Sequence, residues 1–350
     1  MSVKHVIWIT PGFAADEADS QCIPPQQLLA KALLDAGIQL HIVTLHYPHQ
    51  KKPYYWHRAD VYPCFVSGRL AKVKTWLKAY HQIRVLCKAY PEAILHSFWL
   101  NDACLLAQWV DRFRGRRHLV TLMGQDARPT NRYLRLLPLA KMYKVALSQF
   151  HAQEFQCSTD LTVQEIIPWG LPDVVQPDQV RIYHLIAIGN LIPLKRFEDF
   201  VRVIADVCAA IPDLRCLLIG DGPEREHIIN LSQQLGVQDQ LELTGAIPHE
   251  QVLELLAQSQ VLVHPSSYES FGFVLVEALQ QGAAVVARPV GIAPELAGVQ
   301  LATSRVEFKD KVLTSLRAST SVTLPTNFRL QRVKGAYLQL YDRLSSENRS

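Results

Sequence analysis

Short apolar runs alternate with segments of helical periodicity from one end of the chain to the other, and that alternation confines it to a parallel-sheet α/β architecture. Val3 to Thr10 is an apolar strand reaching Pro11-Gly12. After a polar loop holding Asp16, Glu17 and Asp19, Pro25 to Ala36 has helical spacing and stops at Gly37, and Ile38 to Leu45 is a second strand. This unit opens a doubly wound sheet, in which ligands sit beyond the carboxyl ends of the strands, so Gly12 stands at the ligand edge. Ala93 to His96, Leu119 to Met123, Val145 to Ser148 and Glu165 to Ile167 add strands, and two of them deliver His96 and Asp126 to the same edge. The proline-rich stretch Pro168 to Pro177 reads as a hinge.

The second half repeats the pattern. Tyr183 to Ile188 is a strand, Gly189 to Arg196 a loop and Phe197 to Ala210 a helix; Leu214 to Ile219 is a strand, Gly220-Asp-Gly-Pro223 a tight turn and Glu224 to Leu235 a helix. Leu241 to Leu243 is a strand ending at Gly245, and Gln251 to Gln258 a helix. Gly220-Asp-Gly222 is not G-x-G-x-x-G, and with Pro223 at a first helical position it reads equally well as turn and cap chemistry. With 350 residues, 49% of them hydrophobic, the chain has material for two such domains.

The stretch from His264 to Gly291 carries most of the chemistry. Val261 to Val263 is a buried strand, Pro265 and two serines break it, and Ser270 is placed to cap a helix beginning near Phe271 and ended by Gly282. The backbone amides of Phe271, Gly272 and Phe273 would then face the preceding loop as an anion site, with Gly272 allowing close approach. Glu269 and Glu277 lie eight residues apart, roughly 12 Å along a helix, too far for the 5–9.5 Å carboxylate pair of a glycoside hydrolase. They fit opposite ends of an extended ligand with hydroxyls on both sides of a diphosphate, a nucleotide sugar. A solvated Glu269 and a Glu277 that merely ends an amphipathic helix fit the spacing as well. Lys195, seven residues after a strand end, is placed to reach a phosphate in an interdomain cleft, or is a surface lysine.

Charge is uneven. Residues 1–180 hold 20 Lys and Arg against 14 Asp and Glu, leaving 16 against 18 in the remainder. Much of the excess lies in Arg69 to Tyr90, where Leu70, Val73, Leu77, Tyr80 and Ile83 recur at helical spacing among Lys72, Lys74, Lys78, Arg84 and Lys88. The plain reading is a core-facing helix with a solvated basic face; the sharper one is a surface docking on anionic lipid. No nucleic-acid recognition motif accompanies the charge. No apolar run approaches the ~20 residues of a membrane span and the N-terminus lacks the apolar core of a signal peptide, so the chain is expected in the cytoplasm, with peripheral contact to the inner face of the membrane as its alternative site. The seven cysteines form no C-x-x-C pair and read as reduced core thiols, with neither zinc nor disulfides.

Gly189-Asn-Leu-x-x-x-Lys-Arg, Leu-Ile-Gly-Asp-Gly-Pro, Leu-Thr-Gly-Ala-Ile-Pro, His-Pro-Ser-Ser-Tyr-Glu-Ser-Phe-Gly and E-x7-E, in this order, resemble the retaining GT-B glycosyltransferases of family four, the glycosyl transferases group 1. Met123-Gly-Gln-Asp126 and Ile167-Pro-Trp-Gly170 are similar to the family's His-Gly-x-Asp and Ile-Pro-Asn-Gly. The resemblance implies two doubly wound Rossmann-like domains with an interdomain cleft: an acceptor-side domain over 1–178, a nucleotide-sugar domain over 179–325, and a C-terminal helix within 326–350 crossing back to the first. It implies a hexosyl transfer from a nucleoside diphosphate sugar to a hydroxyl acceptor, a glycan or lipid-linked saccharide, with retention and without metal or cofactor. Lys195, with Arg196, would meet the diphosphate, Glu269 the sugar and Glu277 the ribose. Backbone groups of Ser270, Phe271, Gly272 and Phe273 would line phosphate and sugar, Ile247 in the loop from Gly245 to Pro248 the base, and Gly12, Asn190 and Gly220 the remaining donor surface. His96 and Asp126 would stand on the sugar or acceptor side. Three departures from the family matter: Asn190 stands where it has a phosphate-binding arginine, Met123 where it often has a histidine, and the first loop holds only one glycine, Gly12. A degenerate nucleotide-sugar binder and an epimerase on the same fold are the alternative functions.

Overall fold

The computed structural model describes residues 3–111, 118–173, 180–318 and 325–347. The chain divides into two units, Met1–Pro172 with Asn327–Ser350, and Asp173–Thr326.

The first unit is built on an eight-stranded sheet. Its elements in chain order are β1 (His5–Gly12), α1 (Pro24–Asp35), β2 (Gln39–Tyr47), β3 (Tyr54–Trp56), β4 (Ala59–Pro63), α2 (Ala71–Ala89), β5 (Ile94–Phe98), α3 (Asp102–Asp111), β6 (Leu119–Thr121), α4 (Tyr133–Leu136), β7 (Tyr143–Ala146), α5 (Gln149–Thr159) and β8 (Glu165–Ile166). The strand order is β3-β4-β2-β1-β5-β6-β7-β8, parallel except for the β3–β4 hairpin. β1 runs at the centre, with Ile7, Trp8 and Ile9 wholly buried, as a strand covered on both faces requires. The β3–β4 hairpin is invisible in the sequence because its turn residues, His57 and Arg58, adopt positive φ without being Gly or Asn, the usual signals for that turn.

The basic helix α2 departs from the expected packing. Its buried residues are Thr75, Ala79, Ile83, Leu86 and Cys87, so of the expected stripe only Ile83 is fully inside and Tyr80 packs at the margin. Leu70, Val73 and Leu77 are 66%, 52% and 65% exposed. Small side chains at 75 and 79 make the contact face, and apolarity alone pointed to the wrong one.

The second unit has a six-stranded parallel sheet ordered β11-β10-β9-β12-β13-β14. Its elements are β9 (Tyr183–Ile188), α6 (Phe197–Cys208), β10 (Cys216–Ile219), α7 (Arg225–Gln234), β11 (Leu241–Gly245), α8 (His249–Ala257), β12 (Ser259–His264), α9 (Phe273–Gln280), β13 (Ala284–Ala287), β14 (Val299–Leu301) and α10 (Arg305–Arg317). β9 and β12 are neighbours although the chain makes two other strands between them, which places a topological switch point at their carboxyl ends, beside Gly189 and His264.

The final helix, α11 (Leu330–Glu347), belongs to the first unit. It buries Val333, Tyr337, Leu340, Tyr341 and Leu344 there. The entering chain pairs with the end of the first pass: Leu171 N donates to Phe328 O (2.8 Å) and Leu330 N to Leu171 O (2.7 Å). Gly170 makes this possible, since a Cβ there would lie 2.8 Å from Leu330 Cα. Of the stretch read as a hinge, Trp169 and Leu171 are buried, and 174–177 lie outside the described residues. Cys64, Cys87, Cys104 and Cys216 are buried, whereas Cys157 is exposed.

Candidate functional site

At the switch point of the second unit two loops are locked together by backbone. Gly220 and Gly222, at φ +141° and +155°, pack directly on the loop after β9: a Cβ on Gly220 would fall 1.9 Å from Gly189 O, and one on Gly222 2.5 Å from Leu191 O. Leu191 N donates to Asp221 O and Glu224 N to Leu191 O, both 2.9 Å. Glycine at these positions is therefore a packing requirement, and Gly220 supports the loop after β9 from behind. The loop then makes a short 3-10 turn, Pro193–Lys195, whose Leu194 carbonyl accepts from both the amide (2.9 Å) and the hydroxyl (3.0 Å) of Ser267.

That tie brings Lys195 to Glu269. The Lys195 ammonium and His264 Nε2 (3.0 Å) both donate to Glu269 Oε1. Burial alone would raise the Glu269 carboxyl, but the positive charge of Lys195 and the hydrogen bond from His264 outweigh it and hold the pKa at about 2. Glu269 is thus no solvated side chain, and its ionised form is fixed. Gly291, at φ +59°, closes the loop from the other side: a Cβ would meet Phe271 O at 2.4 Å, and the adjacent Ile292 N donates to Phe271 O at 2.7 Å.

The helix that follows starts later than its capping pattern suggested. α9 begins at Phe273 with left-handed Gly272 (φ 90°) as N-cap and no side-chain cap, so Ser270 does not fill that role. The first-turn amides without intrahelical partners therefore begin at Phe273 and Val274, while Ser270 and Phe271 lie in the buried loop. Glu277 is 4% exposed amid Leu275, Val276, Ala278 and Leu279, and α9 runs on to Gln280, which removes the reading of a residue that merely ends an amphipathic helix. Its Oε1 accepts from His249 Nε2 at 2.5 Å. Burial pushes the His249 imidazole down, yet the hydrogen bond and charge of Glu277, with Glu250, hold its pKa above the usual value. His249 opens α8 directly after the loop from Gly245 to Pro248, where Ile247 is half-buried. Arg225 Nη1, buried without a hydrogen-bond partner among the described residues, lies 3.8 Å from where a Gly245 Cβ would be.

Three expected site residues have other work. Arg196 is spent on Asp199, through Nε (2.7 Å) and Nη2 (3.3 Å), and Arg288 reaches the same carboxylate at 3.1 Å, so Arg196 does not join Lys195 at Glu269. In the first unit His96 is wholly buried and both ring nitrogens are taken, Nδ1 by Tyr341 Oη and Nε2 by Thr121 Oγ1, each at 2.8 Å. Burial drives its pKa well below the ordinary value, and it serves as a neutral pin for α11. Asp126 accepts from the amides of Leu100 (2.8 Å), Met123 (3.2 Å) and Gly124 (2.7 Å), holding two loops together rather than facing a ligand. Gly12 ends β1, with Cys22 Sγ and Tyr47 Cβ each 3.4 Å from the place of its missing Cβ. Asn190 is exposed. At the same sheet edge the sequence reading passed over His46, 54% exposed, whose Nε2 lies 3.4 Å from the buried carboxylate of Asp102. Trp76 Nε1 donates to that oxygen at 3.2 Å. No motif announced this group, because its members come from β2, α2 and α3.

Two parallel-sheet Rossmann-like units, the second carrying a buried E-x7-E pair at its switch point, define a GT-B fold. Solved structures agree: a glycosyltransferase from Rickettsia africae matches 98% of this chain and 99% of its own at TM-score 0.75 and 15% identity. Sucrose-phosphate synthase from Thermosynechococcus elongatus matches 99% and 100% at 0.75 and 19%. Residues 180–301 match the family Glycosyl transferases group 1. Among curated relatives, the gpi3 subunit of phosphatidylinositol N-acetylglucosaminyltransferase of Schizosaccharomyces pombe is 33% identical over 112 residues, 32% of this chain and 25% of the relative. N-acetyl-alpha-D-glucosaminyl L-malate synthase of Bacillus anthracis is 38% identical over 112 residues, 32% and 29% respectively. The matched part thus spans about a quarter of these relatives' length.

Proposed function

We propose that the protein is a hexosyltransferase that moves a sugar from a nucleoside diphosphate sugar to a hydroxyl of a saccharide or lipid-linked saccharide, with retention of anomeric configuration. The observation that carries this reading is the second unit's pair of carboxylates, Glu277 buried and Glu269 largely so, each held by its own nitrogen partner, within the segment that matches the family. Glu277 receives the ribose hydroxyls, Lys195 and the start of α9 the diphosphate, and Glu269 the sugar hydroxyls. In the transfer the acceptor oxygen bonds to the anomeric carbon on the face from which the diphosphate departs, the anomeric carbon–phosphate oxygen bond breaks, and the acceptor proton passes to the leaving phosphate. Lys195 and the helix amides stabilise the negative charge that grows there. This chemistry calls for no metal and no protein nucleophile. With Arg196 turned to Asp199, Lys195 is the side-chain cation assigned to the leaving group.

Release of nucleoside diphosphate from UDP-, GDP- and ADP-sugars, assayed over a panel of saccharide and lipid-linked acceptors with the product anomer read by NMR, tests the proposal. Acceptor-dependent release with the donor's anomeric configuration retained supports it. Donor binding without transfer across the panel would favour a degenerate binder, and a shifted sugar spectrum without acceptor an epimerase.

A specific observation also favours peripheral contact with an anionic membrane surface. α2 and the residue before it show solvent Leu70, Val73 and Leu77 interspersed with Lys72 and Lys74, with no acidic residue along the helix, the combination an interfacial helix uses. Among the described residues no helix is long and apolar enough to cross a membrane. The protein should pellet with anionic but not neutral vesicles and be released by salt, and the double variant Val73→Ser with Leu77→Ser should pellet less. Failure of the wild type to pellet at low salt would remove this contact.

A further inference from the structure

We infer that His249 is the positioning residue of the ribose site: its imidazole fixes the Glu277 carboxylate so that the nucleoside end of the donor meets an oriented acceptor. The inference rests on the donor reading above and deepens it. Glu277 sits in the middle of α9, on a helix whose other residues from Leu275 to Gln280 are all buried. A carboxylate in such surroundings is retained only where a partner compensates its lost hydration. Among the described residues the partner is His249, which comes from a different element, the first residue of α8. At 2.5 Å from a carboxylate oxygen, Nε2 is the donor.

The contact engages Oε1. Oε2 and the remaining lone pairs are then the ones left to accept hydroxyl protons from a ribose, and the side chain's rotation is set before the ligand arrives. Preorganisation of this kind lowers the ordering cost of binding. The position of His249 makes it specific to one end of the donor. It follows directly on the loop from Gly245 to Pro248, whereas the cation and amides assigned to the diphosphate belong to the Lys195 turn and the start of α9. Removing His249 should therefore be felt by nucleosides and not by phosphate groups alone. Its side chain is 20% exposed, so replacing it opens no large core cavity.

The test is isothermal titration of the full chain with UDP, GDP, ADP and inorganic pyrophosphate, for wild type, His249→Ala, His249→Gln and Glu277→Gln with and without His249→Ala. Ligand-free melting curves check the fold of each variant. The nucleotide that binds wild type should bind His249→Ala about tenfold more weakly, on the order of one hydrogen bond to a charged group, with pyrophosphate affinity unchanged. His249→Gln, which keeps an N–H donor, should recover much of the loss. In the Glu277→Gln background, His249→Ala should add less than about a twofold change, because it acts through that carboxylate. Equal weakening of nucleotide and pyrophosphate, an unchanged nucleotide affinity, or a full tenfold loss in the Glu277→Gln background each overturns the inference while leaving the donor reading in place. A wild type that binds pyrophosphate and none of the nucleotides overturns the donor reading, and the inference with it.

Discussion

Glu269 and Glu277 are equally acidic in sequence but differ in company, one held by Lys195 and His264, the other by His249. Their substitutions should separate accordingly. Glu277→Gln should weaken nucleoside diphosphate binding whether or not a sugar is attached, whereas Glu269→Gln should leave that binding nearly intact and lower turnover; equal losses of nucleotide affinity would refute the division. Lys195→Ala should lower kcat by roughly 10²–10³, the effect of removing one preorganised group from a developing oxyanion. Near-normal turnover in that variant would show that Lys195 does not face the phosphates, since Arg196 is already committed to Asp199. Motif spacing revealed the two glutamates and the lysine because the loops that carry them are short and contiguous. It could not reveal His249 and His264 as their partners, which depends on which strands become neighbours. It misassigned His96 and Asp126 because a polar residue at a strand end looks the same in sequence whether it faces a ligand or a packed helix.

The loops of the site are held by glycines whose neighbours are backbone, and this makes their tolerance predictable. Gly220→Ala would drive a methyl into Gly189 O and should cost about 2–4 kcal/mol in chemical denaturation while also weakening nucleotide binding, because the Lys195 loop must shift. Gly335→Ala, on α11 with open space around the position, should instead add up to about 1 kcal/mol of stability. If both variants behave alike, the backbone contact is not what holds the loop. The strands and helices of the second unit were legible as far as α9, β9 to the residue, since each apolar run is flanked by Gly or Pro, whereas β14 and α10 were not read. Elements without such punctuation were not: the β3–β4 hairpin turns on His57 and Arg58, and α2 packs through Thr75 and Ala79 while its most exposed apolar side chains face out.

In the first unit, the chain's return is secured by a buried polar group that links α11 to the sheet: Tyr341 to Trp8 and His96, Tyr337 to Thr121. His118, nearby on Ser97, is pushed down to about 3 by burial, and His96 is also well below its ordinary value. Both are neutral in the folded state and bind protons more readily unfolded, so the stability they contribute is complete above about pH 6.5 and is lost as pH falls from there toward 3. The denaturation midpoint followed by tryptophan fluorescence should decline steadily below about pH 6.5; a flat profile to about pH 4.5 would show that these histidines take up protons without cost. The two-domain division was legible from repetition and length, and the family resemblance, which implied a crossing helix within 326–350, indicated the return, whereas the residues that receive that helix were not legible. The central claim, that the E-x7-E segment is a nucleoside diphosphate site, is tested most directly by thermal melting with UDP, GDP and ADP. Binding to the folded state at a hundred times Kd adds about 2.7 kcal/mol, so one of the three should raise the melting temperature of wild type and raise that of Glu277→Gln markedly less. A wild type unmoved by all three, or a Glu277→Gln variant shifted as far as wild type, would contradict it.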